Sequence, residues 1–543
     1  MEQTTTAVAG AVTTSTLLAI EPVTRVGGAI GLRLEADPRS RRYSSAHCAV
    51  NMYRGYEGLI TGRQVDDAIY LSSRCCGYHG GQHSVASAQA IEMAVGLTPP
   101  PMAVAIRNLG LAAETIHAEA AHLVLMVAPD LCEQTVRANW PGLWSAAERA
   151  EAPHAEIHGM GTIGEIMYAL NPWTGRWYLE ALKVARVPFT MYAIMAGKYP
   201  HPQTMVPGGL SVSVGTTRVH DYLIHLLSLV DPAKRIATMI VDLLDFCLAT
   251  VPELRLVGAG PMNFIDSGQF DDPEGYDASE KGLKDRGDRR WAAPGLIIDG
   301  RLVSSDLGEI AAGIRESTAQ SYYEGGAEPQ HPYDRVTRPR PANGAVGAAR
   351  SWSTTVTWQD GTVVETGPGA RLWATALRGS MPPNPFITAA NGGVQLDLPE
   401  GALPRLVLEW RPPASWNAIE RNRARLYSVV FAALTAANQV LKVLDLQKEA
   451  RLDTATKVRI PKVRGSRRGV GLAGDGLLGH WLTLSGNRVE NYQVVAPSTI
   501  NLGPGGPAEQ AIQATPYLGD AASGLEALIA LRSFDPCGNC ASH

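Results

Sequence analysis

The run Asp535-Pro536-Cys537-Gly538-Asn539-Cys540-Ala541-Ser542-His543 offers two thiols and an imidazole at the C-terminal end of the chain. A second cluster, Arg74-Cys75-Cys76-Gly77-Tyr78-His79-Gly80-Gly81-Gln82-His83, lies far upstream. Each cluster carries two soft or borderline ligands separated by two residues. A fold that joined them would set Cys76, His79, Cys537 and Cys540 around one ion, with three sulfurs and one nitrogen. That donor set suits zinc, or a nickel or iron thiolate centre, and the ion itself would keep the thiols deprotonated.

The elements that must position these groups are mostly helices. Residues 64–93, 102–128, 173–198, 216–256 and 416–448 carry apolar side chains at three- and four-residue spacing, which predicts long helices and a bundle core. The Cys76-x-x-His79 step falls where a chain entering a helix turns back on itself, so both side chains would face one point. Residues 20–35 alternate apolar and polar with turn glycines and read as a strand hairpin. Residues 260–400 are a β-rich excursion with hairpins expected at 295–303 and 354–364, and the Pro-rich stretch 328–345 reads as an ordered surface loop. The fold class is therefore α+β, mainly α, a long-helix bundle with peripheral β hairpins. One domain is expected over 17–543, after a disordered tail over 1–16 that lacks the charged start of a signal peptide.

Composition narrows the function classes. The formal net charge of -4 from 48 basic and 52 acidic residues gives no electrostatic case for binding nucleic acid or an anionic membrane. The basic run Lys462, Arg464, Arg467 and Arg468 reads as a solvated loop. Seven cysteines in 543 residues are too sparse for a disulfide framework. Cys48, Cys132 and Cys247 sit among apolar neighbours and read as buried structural thiols. No apolar stretch of about 18 residues runs uninterrupted, so a membrane association would come through partners.

Taken in order, the motifs resemble the large subunit of nickel-iron hydrogenases, with wording similar to the actinobacterial-type uptake enzymes. They are Glu21-Pro22-Val23-Thr24-Arg25-Val26, Arg54-Gly55-Tyr56-Glu57, Ser73-Arg74-Cys75-Cys76-Gly77, Gly197-Lys198-Tyr199-Pro200-His201-Pro202, Gly479-His480-Trp481, Pro497-Ser498-Thr499 and the C-terminal Cys-x-x-Cys. What the resemblance implies is a nickel held by thiolates that bridge to an iron bearing carbon monoxide and cyanide. Cys76 and Cys537 would be terminal ligands and Cys540 a bridging one. A magnesium ion would lie between Glu57 and His543, and Ser498 or Thr499 would hydrogen-bond a cyanide. His83 would stand behind the metal ligands, and Cys537, with Asp535, would be the catalytic base.

This sequence departs from the family pattern at four places. The family has a second bridging Cys where His79 stands, and a proton-passing Glu two residues after the opening Arg, where Gly27 stands. Its carboxylate after the first helical His aligns with Ala118, beside Glu119. Its Arg over the metals aligns with Asp475, which leaves Arg467 or Arg468 as arginines that could loop inward.

The implied activity is oxidation of molecular hydrogen, with electrons passed to an iron-sulfur small subunit, in a higher oligomer of heterodimers. The implied location is the cytoplasm or the membrane periphery, with export alongside a partner also open. The alternative is a catalytically degenerate scaffold with a structural Cys3His site for zinc or nickel.

Overall fold

The computed structural model describes residues 3–6, 13–340, 349–456, 465–513 and 515–542. His543, Lys462 and Arg464 lie outside the described residues, as does the end of the loop expected over 328–345.

The predicted helices form, and prolines set where they break. The pattern over 173–198 divides into Arg176–Val184 and Arg186–Ala196, because Pro188 has no N–H for the carbonyl four residues back. Pro232 acts in the same way on 216–256, giving Thr216–Ser228 and Val230–Thr250. The pattern over 64–93 divides into Val65–Ser72 and Gly80–Val95. Between them lie a single 3-10 turn, Ser73–Cys75, and the irregular residues that carry Cys76 and His79. The helix Ala418–Lys448 starts where the Asn417 side chain accepts the free N–H groups of Ile419 and Glu420.

At the centre, Pro101–Ala121 packs along Ala418–Lys448. The helical runs Pro101–Asn139 and Ala418–Lys448 are long and apolar enough to cross a membrane, yet most of each apolar window is buried inside the fold, 83% in the first and 56% in the second. Their hydropathy is accounted for largely by the protein core, which both helices join.

Gly80–Val95 lies flat on the antiparallel meander Ser466–Ala473, Leu478–Ser485 and Arg488–Val495. Two glycines permit that approach. A Cβ on Gly471 would stand 1.8 Å from the Ala86 carbonyl oxygen, and one on Gly469 would stand 2.0 Å from that of Ala90. The turn of this meander carries Asp475, and its second strand carries His480.

The hairpin read over 20–35 is a larger meander in which Thr13–Ile20, Ile30–Asp37 and Arg42–Val50 pair in sequence. The tail expected over 1–16 contains the paired strand segments Gln3–Thr6 and Thr13–Thr16. In the β-rich excursion, Gly295–Ile298 and Arg301–Ser304 pair as predicted. Thr355–Trp358 does not pair with 362–364 as a second ladder. It adds to Ile314–Ser317, and the return is closed by one bond from Trp358 N to Thr362 O.

Candidate metal centre

The two Cys clusters meet. The Sγ atoms of Cys76, Cys537 and Cys540 lie within 4.8 Å of one another, all buried. The upstream cluster is held from below by Arg54, whose guanidinium donates to the carbonyls of Arg74 and Cys75 at 2.9 and 3.3 Å. This gives the Arg of the Arg54-Gly55-Tyr56-Glu57 motif a structural task. The turn after Cys76 folds back so that the N–H groups of Tyr78 and His79 point at its sulfur, at 3.4 and 3.2 Å. His79 then heads the helix Gly80–Val95. Glu114, from the central helix, fills the free N–H groups of that helix start, accepting from Gly81 N and Gln82 N at 2.8 Å each.

The C-terminal clip is fixed from two sides. Gly27 N donates to Pro536 O at 2.9 Å and Gly538 N donates to Gly27 O at 2.7 Å, a parallel bridge to the N-terminal part of the chain. On the other side, Ser498 Oγ accepts the Cys537 N–H at 3.2 Å, and Thr499 Oγ1 donates to the Cys540 carbonyl at 3.3 Å. Both hydroxyls named from the sequence therefore lie beside the clip, bonded to its backbone.

The three thiols differ in acidity. Hydrogen bonds from Cys537 and Cys540 hold the Cys76 thiol well below its ordinary range despite burial. Cys540, which donates to Cys537 at 3.0 Å, is pushed well above it by its bonds to Cys537 and Cys76.

His79 is not part of the mutually close triangle. Its Nδ1 lies 3.6 Å from Cys76 Sγ, and its buried Nε2 has no hydrogen-bond partner and faces Asp475 Oδ2 at 3.9 Å. Burial opposes its charge, but the Cys76 sulfur and the Asp475 carboxylate outweigh burial and raise it to about 10.

Asp475 is part of a buried network. Its carboxylate accepts from Thr115 Oγ1 at 2.8 Å, Gln82 Nε2 at 2.6 Å and Arg371 Nη1 at 3.0 Å. Arg371, on the helix Pro368–Arg378, also reaches Asp266 and the Gly474 carbonyl.

Beside the thiols, a cavity of about 30 Å³ is lined by Arg425, Asp535, Ser498, Cys537 and Cys540 among others. Arg425 Nη1 lies 2.7 Å from Glu119 Oε2 and 3.8 Å from Asp535 Oδ2. His122 Nδ1 lies 3.1 Å from Asp535 Oδ1. The His122 and Arg425 charges hold Asp535 well below the usual carboxylate range although burial alone would raise it.

Sequence reasoning missed Arg425, Arg371 and His122 in these roles. The first two sit on helices more than 100 residues from either Cys cluster, and His122 reads as a packing residue. Arg467 and Arg468 do not loop inward. Both are exposed, and Arg468 lies over the Tyr333 ring and 3.6 Å from Asp334.

The remaining candidates fall behind the centre or away from it. His83 Nδ1 lies 3.0 Å from His480 Nε2, and His480 in turn meets the Tyr492 hydroxyl at 2.6 Å. Glu57 is buried, accepts from Val494 N at 2.7 Å and from Thr337 Oγ1, and is pushed up to about 7 by burial. Its expected partner His543 lies outside the described residues. Cys75 is a buried free thiol that is not part of the triangle, and Cys48, Cys132 and Cys247 are buried free thiols as expected.

Fold and site together define a protein in which three buried thiols from distant parts of the chain form a candidate metal centre. It belongs to the nickel-dependent hydrogenase family, whose model matches residues 54–141 and 170–543. An actinobacterial-type NiFe-hydrogenase from Ralstonia eutropha superposes with a TM-score of 0.92 at 32% identity, covering 97% of this chain and all of that one. The hydrogenase-2 large chain of Escherichia coli is 26% identical over 581 residues, 97% of each chain. The uptake hydrogenase large subunit of Bradyrhizobium diazoefficiens is 26% identical over 97% of this chain and 95% of its own. The α+β, mainly helical fold of a hydrogenase large subunit, read from the sequence, is borne out.

The donors can be weighed against the family's dinuclear group. Three converging thiols fit a thiophilic ion such as nickel. Position 79 does not supply the second bridging sulfur, because one imidazole nitrogen offers one lone pair to one metal.

Proposed function

We propose that this chain is the large subunit of a hydrogenase that oxidises molecular hydrogen and passes electrons to an iron-sulfur small subunit. The observation that carries the reading is the gathering of Cys76, Cys537 and Cys540 from opposite ends of a chain that matches the family along its length. When bound, a nickel-iron centre with carbon monoxide and cyanide ligands supplies the metal chemistry of hydrogen cleavage.

The protein's own groups handle the proton. Cys537 Sγ borders two small cavities, one lined by Arg425 and the other by His122 and Arg25. It is placed to take a proton at sulfur, with Asp535, Arg425 and His122 fixing the charge around it. Buried Glu57 is the residue that would hold a magnesium ion together with His543. Assembly into a higher oligomer of heterodimers, and association with a membrane through partner subunits, belong to the same reading.

The test is hydrogen uptake by the chain co-produced with its small subunit and a dye acceptor. Uptake that disappears in Cys537→Ala supports the reading, and none in the intact complex sinks it.

One observation favours a second reading. The missing thiol at position 79 and the carboxylate at position 475 suit a scaffold subunit with one zinc or nickel ion in a Cys3His site. Equal nickel and iron with infrared bands of carbon monoxide and cyanide would support the first reading. Zinc alone would support the second.

A further inference from the structure

We infer that His79 ligates the ion of this centre through Nδ1, and that Asp475 is a positioning residue that fixes the ring for the task. The inference rests on the reading that the three thiols hold a metal.

The first observation is a distance. Two donors on one tetrahedral ion, a sulfur at about 2.3 Å and an imidazole nitrogen at about 2.0 Å, lie about 3.6 Å apart. Cys76 Sγ and His79 Nδ1 are 3.6 Å apart. Two sulfurs on such an ion lie about 3.8 Å apart. The thiol triangle brackets that value, from 3.0 Å between Cys537 and Cys540 to its limit of 4.8 Å. His79 Nδ1 lies outside the 4.8 Å grouping of the three sulfurs, so its ligation requires the ring to swing toward Cys537 and Cys540.

The second observation is the other ring nitrogen. His79 Nε2 is buried, has no hydrogen-bond partner, and faces Asp475 Oδ2 at 3.9 Å. A ligating His commonly gives its remote N–H to a carboxylate, which selects the tautomer and orients the ring. With Nε2 protonated toward Asp475, the Nδ1 lone pair is left on the side of Cys76. A closure of about 1 Å would make this contact a hydrogen bond. Asp475 is held for the purpose by Thr115, Gln82 and Arg371. The same Gln82 also accepts from the Asp475 N–H at 2.9 Å.

The experiment loads the purified full chain separately with nickel(II) and zinc(II). It measures the metal per chain and X-ray absorption at the metal edge, and follows retention against a chelator. Three sulfurs and one imidazole nitrogen are expected in the intact protein. His79→Ala should lose the nitrogen signal. Asp475→Asn should keep the donor set but release the ion roughly 10- to 100-fold more readily, and Asp475→Glu should recover part of the loss. A bound ion without an imidazole in the intact protein overturns the inference and leaves the metal reading standing. Unchanged retention in Asp475→Asn overturns the role of Asp475. No metal in the intact protein defeats both. Should the Asp475 variants not fold, the absorption spectrum of the intact protein decides the ligand.

Discussion

Gly27 lies directly against Cys537. The two residues form a parallel bridge, and a Cβ on Gly27 would stand 3.1 Å from the Cys537 sulfur and 3.3 Å from its Cα. Gly27 is therefore used for close backbone approach to a thiol of the candidate metal centre.

Gly27→Ala should push Cys537 out of the triangle. The expected cost is about 1–3 kcal/mol of stability, as for overpacking elsewhere, with a matching loss of bound metal. Gly28→Ala should be worse, because its φ of +73° disfavours a side chain and its Cβ would stand 2.8 Å from Asn539 Oδ1. Thermal unfolding and metal analysis of both variants check this.

Cys537→Ala and Cys76→Ala should each abolish stoichiometric metal binding, since either leaves two sulfurs. Cys75→Ala removes a neighbouring buried thiol outside the triangle and should keep the metal. Elemental analysis of the three variants separates ligand from neighbour.

Glu114 gives a pH dependence with a definite sign. Burial raises it from 4.5 to about 8, above the His79 charge and its two backbone bonds that act the other way. The folded state therefore binds this proton more tightly than the unfolded chain does. Its contribution to stability is present in acid and is lost as pH rises from about 4.5 to about 8. Glu114→Gln should flatten that part of the curve of denaturation midpoint against pH. Glu114→Ala, which frees the N–H groups of Gly81 and Gln82, should instead destabilise at every pH.

Arg371 and Arg425 are buried cations with buried carboxylate partners. Arg371→Met would leave Asp475 and Asp266 uncompensated, at a cost of about 3–5 kcal/mol. Arg425→Met would do the same to Glu119. Arg468→Ala, at an exposed position of the strand Ser466–Ala473, should leave both stability and metal content unchanged. Chemical denaturation of the three variants tests the contrast.

The sequence made the helical core legible because periodicity survives wherever one face is buried. Its breaks at Pro188 and Pro232 were also legible in principle, since a missing N–H ends a ladder. The strand partner of Thr355–Trp358 was not legible, because the tight turn at Asp360-Gly361 suggests a local hairpin and the pairing with Ile314–Ser317 depends on long-range packing. At the site, the cysteines could be read because thiol spacing is rare and specific. Arg425 and Arg371 could not, because an Arg within a helical pattern normally faces water, and only the tertiary fold places carboxylates opposite them. His79 was legible as a departure but not as a geometry, since its relation to Asp475 joins residues from a helix start and a strand turn.

The bonds from Gly27 to Pro536 and Gly538, and from Arg532 to Thr24 across 508 residues, tie the C-terminal clip to the N-terminal part of the chain. A chain cut before Cys537 keeps Cys76 alone of the three sulfurs and has no grip on an ion. Such a truncation would erase the candidate cofactor pocket while sparing most of the helical core.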